Sequence, residues 1–385
     1  MMQHNLRLDA LERSGIRRFT ALAAATPGCA KLTIGEPDFD TPAPICQAAA
    51  DAMFAGQTHY SANQGTPELR KAIAEFETAR GMNCTSEQVL VTVGATEALF
   101  TAMVGVLNPG DEVVIPVPAF PLYESIAKAA GAKIVLLDLA ETGFQLTKEA
   151  LDRVITPKTR AIILNSPNNP TGSVLSKQSL DAVEQAVAGK PIWVICDNVY
   201  CQLAYGPCPD LTLREHLREQ IILCQSFSKP YAMTGWRLGY LVAPEGVMDR
   251  LLLLHAANVA SIPTFVQTAG VTALQQDVSP MRQTYAQRRE YVLKRLTDMG
   301  LTFPEPGGAF YVFPDIRPFG LDDETFCIRM IQEGGLAAVP GSCFHGSGHI
   351  RLSYCYSMED LCRSMDRLEA FIRTLYPSTS KEKKL

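Results

Sequence analysis

The sequence predicts an α/β protein: a large domain built on a mainly parallel seven-stranded sheet covered by helices, joined to a smaller α+β domain. Three observations predict it. Seven apolar runs of strand length fall between residues 89 and 242. Helical periodicity fills several of the gaps between them, and beyond residue 300 the texture changes to shorter apolar runs ahead of one final helical pattern. Unbroken apolar strands, without polar alternation, belong to a sheet buried on both faces.

Taken in order, Thr66-Pro67-Glu68 opens a helix, with proline at its first position and Leu69, Ala72, Ile73 and Phe76 on one face. Val89-Leu90-Val91-Thr92-Val93 is the first strand. A helix follows from about Thr96 to Leu107, where Asn108-Pro109-Gly110 stops it. Val113-Val114-Ile115-Pro116 is the second strand, and a helix from Pro121 to Ala130 ends at Gly131. Ile134 to Leu137, Ala161 to Leu164, Trp193 to Cys196, Ile221 to Leu223 and Leu238 to Val242 complete the sheet. A long helical pattern begins at Ser279-Pro280 and reaches Met299 before Gly300. Short runs at Phe310 to Phe313, Ala337 to Val339 and Ile350 to Ser353 then precede a last helix from about Met358 to Thr374. There is no internal repeat and no low-complexity linker.

Composition narrows the function. A chain of 385 residues exceeds one simple core, and 47% hydrophobic with 19% charged residues is globular, not disordered. A net charge of −5 offers no footprint for nucleic acid, and the basic cluster Lys381 to Lys384 reads as a solvated chain end. Met1 to Gly15 lacks the apolar core of a signal peptide, and no apolar run is long enough for a membrane span, which points to the cytoplasm. Eleven scattered cysteines without a Cys-x-x-Cys pair are expected to be reduced thiols, Cys196 and Cys224 being small buried side chains in strands. His345 and His349 are separated by Gly346 and Gly348 and read as loop residues, so no metal is expected.

The chemistry concentrates just after the strands, where open α/β sheets collect ligands. Ser226-Phe227-Ser228-Lys229 follows the run Ile221-Ile222-Leu223-Cys224, so Lys229 emerges at the edge of a buried sheet, where desolvation favours the neutral, nucleophilic amine. Such an amine can form an imine with a carbonyl compound. Pro230 pushes Lys229 toward extended geometry and hence onto a non-helical turn. A lone strand-end lysine is ordinarily a solvated side chain; its company reverses that reading. Arg237, in Met233-Thr234-Gly235-Trp236-Arg237-Leu238-Gly239-Tyr240, can clamp a phosphate. Gly94-Ala95-Thr96 opens a helix and can present backbone N–H groups to an anion, although any capped helix would look the same. Two prolines in Asn165-Ser166-Pro167-Asn168-Asn169-Pro170-Thr171-Gly172 hold the Asn169 amide rigidly at a strand end. Asp197 directly follows a buried strand and needs a cationic partner; a protonated pyridine nitrogen would serve, in a contact of about 1.5 to 3 kcal/mol. Without Lys229 and Arg237, a helix-capping aspartate would be the preferred reading.

In these motifs, in Tyr354-flanked Arg351 and in the Asp197-x-x-Tyr200 pair, the sequence resembles the pyridoxal-phosphate aminotransferases of class I/II, fold type I. The likeness runs from Arg17-Arg18-Phe19 to the last helix. It implies pyridoxal 5'-phosphate as cofactor, residues 1–44 as an N-terminal arm and part of the small domain, 45–280 as the large domain and 281–385 as the small one. It further implies Lys229 as the covalent anchor and proton-moving base, and Asp197 as partner of the pyridine nitrogen. Asn169 and Tyr200 would serve the ring's phenolic oxygen, with Phe120 stacked on the ring. Ala95, Thr96, Ser226 and Arg237 would hold the phosphate, and Tyr60 would reach the phosphate of a second subunit, making the active site shared by a homodimer. Arg351 and the Gly35 backbone N–H would bind the substrate's α-carboxylate, beside Asn169. Asn198 and Pro230 depart from the family's usual residues without removing a reacting group, and Thr96 stands where some aspartate-specific relatives carry lysine. The implied reaction is ping-pong transfer of an amino group from an aromatic, neutral or N-acetyl-LL-diaminopimelate donor to a 2-oxo acid such as 2-oxoglutarate. A C–S β-lyase uses the same cofactor cage and stays open as an alternative. A DNA-binding regulator on this fold is disfavoured, because about 16 residues precede Arg17.

Overall fold

In the computed structural model, which describes residues 9–375, the seven apolar runs form one sheet. Residues 1–8 of the polar N-terminal stretch and the Lys381 to Lys384 cluster lie outside the described residues. We number the central strands β1 (Val89–Val93), β2 (Glu112–Val117), β3 (Lys133–Asp138), β4 (Thr159–Asn165), β5 (Trp193–Asp197), β6 (Ile221–Ser226) and β7 (Leu238–Val242). Their spatial order is β1-β7-β6-β5-β4-β2-β3. Strands β2 to β6 run parallel, whereas β7 is antiparallel to both β6 and β1.

Alternate residues of the central strands serve two separate cores. Ile163, Ile195 and Ile222 pack with Ala98, Ala102, Tyr123 and Leu251 on one face. Their neighbours Ile162, Val194 and Ile221 pack with Leu151, Leu180 and Val183 on the other. Both faces are therefore covered, as continuous apolar strands require. The reversed β7 has a further consequence: its first residues lie beside the last residues of β6, with Ser226 opposite Gly239, and beside the end of β1, with Val93 opposite Leu238. The start of β7 and the carboxyl ends of the parallel strands thus share one edge.

The C-terminal part contains the Ser279–Asp298 helix, an antiparallel sheet of Val339–Pro340, Ile350–Ser353 and Tyr311–Val312, and the Asp323–Gly334 and Met358–Leu375 helices. The N-terminal segment joins it: Ala30–Lys31 pairs parallel with Leu336–Ala337, and Arg288 donates two hydrogen bonds to Asp38 at 2.6 and 2.8 Å. Local expectations shift by one or two residues. The helix after β1 runs Gly94–Val106 and starts at Gly94, whose φ of 69° lets the chain turn into the helix with no spacer. The apolar run near Ala337 splits into two short strands. Among the described residues no helix is long and apolar enough to cross a membrane.

Gly239 sits where the sheet meets that helix start. A Cβ there would lie 2.6 Å from the Gly94 carbonyl carbon, 2.7 Å from the Gln225 oxygen and 2.8 Å from the Ala95 nitrogen, all main-chain atoms. Gly239→Ala is expected to destabilise the protein by about 1–3 kcal/mol, read as a lower urea midpoint. An unchanged midpoint would show that the contact relaxes freely.

Candidate active site

A cavity of about 590 Å³ opens at the shared edge, and Gly35, Ala95, Thr96, Phe120, Asn169, Asp197, Tyr200, Ser226, Lys229, Arg237 and Arg351 all line it. Residues up to more than 300 positions apart in sequence are thereby brought together. Tyr60 is the one candidate outside it: the side chain is 93% exposed.

Lys229 follows β6 on a non-helical turn, as its neighbour Pro230 demands. Its Nζ donates to the Gly35 carbonyl at 2.6 Å and lies 6.0 Å from the Phe310 ring centroid. Desolvation lowers its pKa to about 8, against which the Coulombic influence of Cys355 and Glu36 acts. The amine is thus close to reactive at neutral pH.

Asp197 ends β5 and is 4% exposed. The expected cationic partner is not what the protein itself supplies. Tyr123 Oη donates to Asp197 Oδ2 at 2.6 Å, and the Val199 N–H donates to Oδ1 at 3.4 Å. Burial raises the carboxyl's pKa to about 6, opposed by those two bonds and by Lys229. No ion pair to Asp197 forms among the described residues, so its negative charge can still receive a cation in the cavity.

The opposite wall suits an anion. Gly94 to Thr96 form the first turn of their helix, and the cap residue Val93 has no side-chain acceptor. Arg237 packs on this turn: a Cβ on Gly94 would fall 2.8 Å from Arg237 Nη2. Its backbone holds φ at 53°, a strained value for a side-chain-bearing residue. Arg237 is exposed, donates to the Thr234 carbonyl at 3.0 Å and has no carboxylate partner among the described residues. Ser226 Oγ lies on the same side and accepts from the Ser228 N–H at 3.0 Å.

Arg351 is 2% exposed. It donates to Asn169 Oδ1 at 2.9 Å and to the Thr33 carbonyl, while its Nε has no hydrogen-bond partner among the described residues. Because a guanidinium only donates, this bond turns the Asn169 amide so that Nδ2 is free to donate elsewhere. Asn165 ties the loop to β5, accepting from the Asn169 N–H at 2.8 Å and donating to the Asp197 carbonyl at 2.9 Å. Tyr200 Oη lies 2.8 Å from Tyr311 Oη, and a Cβ on Gly35 would meet that Tyr311 hydroxyl at 1.8 Å. Phe120 meets Tyr123 edge-on, with centroids 6.0 Å apart.

Tyr123 and Tyr311 were missed in the sequence. Tyr123 carries a weak signal, three residues after Phe120 on the same helix start. Tyr311 carries none, hidden in the apolar run from Phe310 to Phe313. Together the groups form a carboxylate able to hold a cation, two arginines able to hold anions, and an amine of lowered pKa in the same cavity.

The family described as aminotransferase class I and II matches residues 27–368. A probable N-acetyl-LL-diaminopimelate aminotransferase of Bacillus subtilis is 38% identical over 380 residues, covering 96% of each chain. An aromatic-amino-acid aminotransferase of Thermococcus litoralis is 39% identical, covering 95% of this chain and 97% of its own. Among solved structures, an aspartate aminotransferase of Thermus thermophilus with maleate superposes with a TM-score of 0.91 at 35% identity, covering 96% of this chain and 100% of the other.

Two pH effects follow from the geometry. In the ligand-free protein, capture of an aldehyde probe at Lys229 is expected to rise with pH through a midpoint near 8, followed by mass spectrometry after borohydride reduction. A midpoint above 10 would mark a solvated lysine. Asp197 binds its proton more tightly folded, at about 6, than its ordinary 3.8. Between those values the folded state carries the extra proton, so stability falls as pH rises through that window. Asp197→Asn, which keeps an acceptor for Tyr123, is expected to exceed the parent in stability by about 2–3 kcal/mol at pH 7.5. That advantage should shrink toward pH 4 in denaturant titrations; a constant difference would refute the assignment.

Proposed function

The chain belongs to the class I and II aminotransferases, pyridoxal-phosphate enzymes of fold type I, and on that premise we propose that it transfers the amino group of an aromatic, neutral or N-acetyl-LL-diaminopimelate L-amino acid to a 2-oxo acid, namely 2-oxoglutarate, in a ping-pong cycle. The observation that carries this reading is the single cavity in which the depressed-pKa amine of Lys229 faces Asp197, Arg237 and Arg351.

The residues fit the cofactor. Arg237, Ser226 and the uncapped turn Gly94 to Thr96 make an anion cradle that a Cβ at Gly94 would fill, which suits a phosphate. Asp197, buried and bound only by neutral donors, suits a protonated pyridine nitrogen. Asn169, Tyr200 and Phe120 line the same cavity, and Asn169 Nδ2 and Tyr200 Oη would donate to a phenolic oxygen while Phe120 would stack on the ring. Bound there, pyridoxal phosphate supplies an aldehyde carbon and a ring that draws electrons from the substrate's α-carbon.

The chain's own groups then divide the work. Arg351, with the Gly35 N–H beside it, grips the α-carboxylate; its unbonded Nε leaves a donor for that purpose. Lys229 anchors the cofactor, is displaced by the incoming amine, and as a free base takes the α-proton at Nζ. Its one hydrogen bond, to the Gly35 carbonyl, leaves the remaining N–H positions and the lone pair directed to the cavity. The first 2-oxo acid leaves before the second enters, and the steps run in reverse. Tyr60 and Phe54, each 93% exposed, are large apolar groups that a second copy of the chain would cover; that supports a homodimer in which Tyr60 reaches the partner's phosphate.

Lys229→Ala is expected to lower transamination by more than about 10³-fold while cofactor still binds through Arg237. The checks are glutamate formed from 2-oxoglutarate with a donor panel, and loss of the borohydride adduct. Retained transamination would refute the assignment of Lys229.

A further inference from the structure

Among the described residues, five charged side chains line the cavity: Arg17, Asp197, Lys229, Arg237 and Arg351. Four have a demand to meet in the proposed reaction, with Asp197 set against a pyridine nitrogen, Arg237 against a phosphate, Arg351 against an α-carboxylate, and Lys229 taken up in the covalent link. Arg17 remains as one uncompensated positive charge. Its guanidinium makes no hydrogen bond or ion pair with any described residue, although Arg18 beside it pairs with Glu324. The other acids of this region are also engaged, Glu12 with Lys128 at 3.4 Å and Glu124 with His345.

Arg17 lies in the first turn of the Gly15–Ala25 helix, which forms a wall of the cavity through Ile16, Thr20, Ala21 and Ala24. It is exposed, and it also borders a second cavity of about 580 Å³ that adjoins the first along Thr96, Phe120 and Leu122. A substrate held at its inner end by buried Arg351 would therefore send its far end toward Arg17. The wall around it is apolar, with Ile16, Ala21, Ile34 and Leu122, so neutral side chains have a surface without it. Only a far end carrying negative charge needs the guanidinium, which can take a carboxylate through two parallel N–H bonds.

Resting on the aminotransferase reading above, we propose that Arg17 is the specificity-determining residue for the second carboxylate of dicarboxylic substrates. It selects 2-oxo acids with an acidic end over neutral ones of equal length.

The test uses the holoenzyme, wild type and Arg17→Met, with phenylalanine as donor. The ratio of kcat/KM for 2-oxoglutarate to that for 2-oxohexanoate is expected to fall about 10- to 200-fold, with partial recovery in Arg17→Lys. An unchanged ratio, or equal losses on both acceptors, overturns the proposal. Calorimetric binding of glutarate and of pentanoate to the same proteins separates this from a failure of the reaction itself. Wild type should prefer glutarate and Arg17→Met should lose that preference even if phenylalanine is not a donor. If wild type binds both acids alike, Arg17 has no such task, whatever the enzyme transaminates.

Discussion

A buried guanidinium without a counter-ion among the described residues is the constraint around which the rest is arranged. Arg351 is held by neutral acceptors, Asn169 Oδ1 and the Thr33 carbonyl, and lies over the rings of Tyr311 and Phe344 at 4.6 and 4.9 Å. Taking such an ion from water costs several kcal/mol, and arginine cannot shed its proton to escape that cost. Aromatic faces and carbonyl dipoles return only part of it. The remainder is met by the folding of three segments: the N-terminal stretch with Thr33, the loop after β4 with Asn169, and the C-terminal sheet with Tyr311. A carboxylate brought to this place finds its partner already desolvated and oriented, so little reorganisation is left for the moment of binding.

The same edge holds two further groups away from their preferred state. Burial moves Asp197 up to about 6 and Lys229 down to about 8. Both shifts oppose charge, and both disfavour the folded protein where the groups would otherwise ionise. The surrounding sheet tolerates them because β4 to β7 are buried almost throughout. The lowered pKa of Lys229 also makes the free amine more available near neutral pH, which suits a nucleophile. Stability is given up at one edge of a large core, where the core can offset it.

All seven strands could be read from apolar runs, and the turn at Lys229 from Pro230, because both signals are local. Eleven of twelve candidate residues met in one cavity: nine end or follow strands of one sheet or precede its reversed member, while Gly35 comes from the N-terminal segment and Arg351 from the C-terminal sheet. That reversal was not legible: nothing in Leu238 to Val242 encodes strand direction, yet it is why Arg237, which comes before a strand, stands with residues that come after one. Tyr123 and Tyr311 were missed for a related reason. Each is an aromatic in an apolar context, and only the fold shows that one hydroxyl reaches Asp197 and the other Tyr200. The need of Asp197 for a partner follows from its place after a buried strand, whereas the neutral hydroxyl of Tyr123 that the protein itself supplies is visible only in the fold.

The helix after β1 shows how local rules are set aside at such an edge. Helices starting at Pro67, Lys148 and Lys177 are capped by the side chains of Thr66, Thr147 and Ser176. The Gly94–Val106 helix begins instead after Val93, which has no acceptor to offer. Its geometry is fixed from behind: Glu97 accepts from the Val93 N–H at 2.8 Å and from Thr101 Oγ1 at 3.0 Å, with His255 Nδ1 at 2.9 Å. The carboxylate therefore ties the strand end to the helix without occupying the first-turn donors. A side-chain cap would be worth about 1 kcal/mol here, and omitting it leaves unmet N–H groups facing Arg237. On the proposed reading, an anion bound between them would supply the missing cap and restore the small local stabilisation that the protein forgoes.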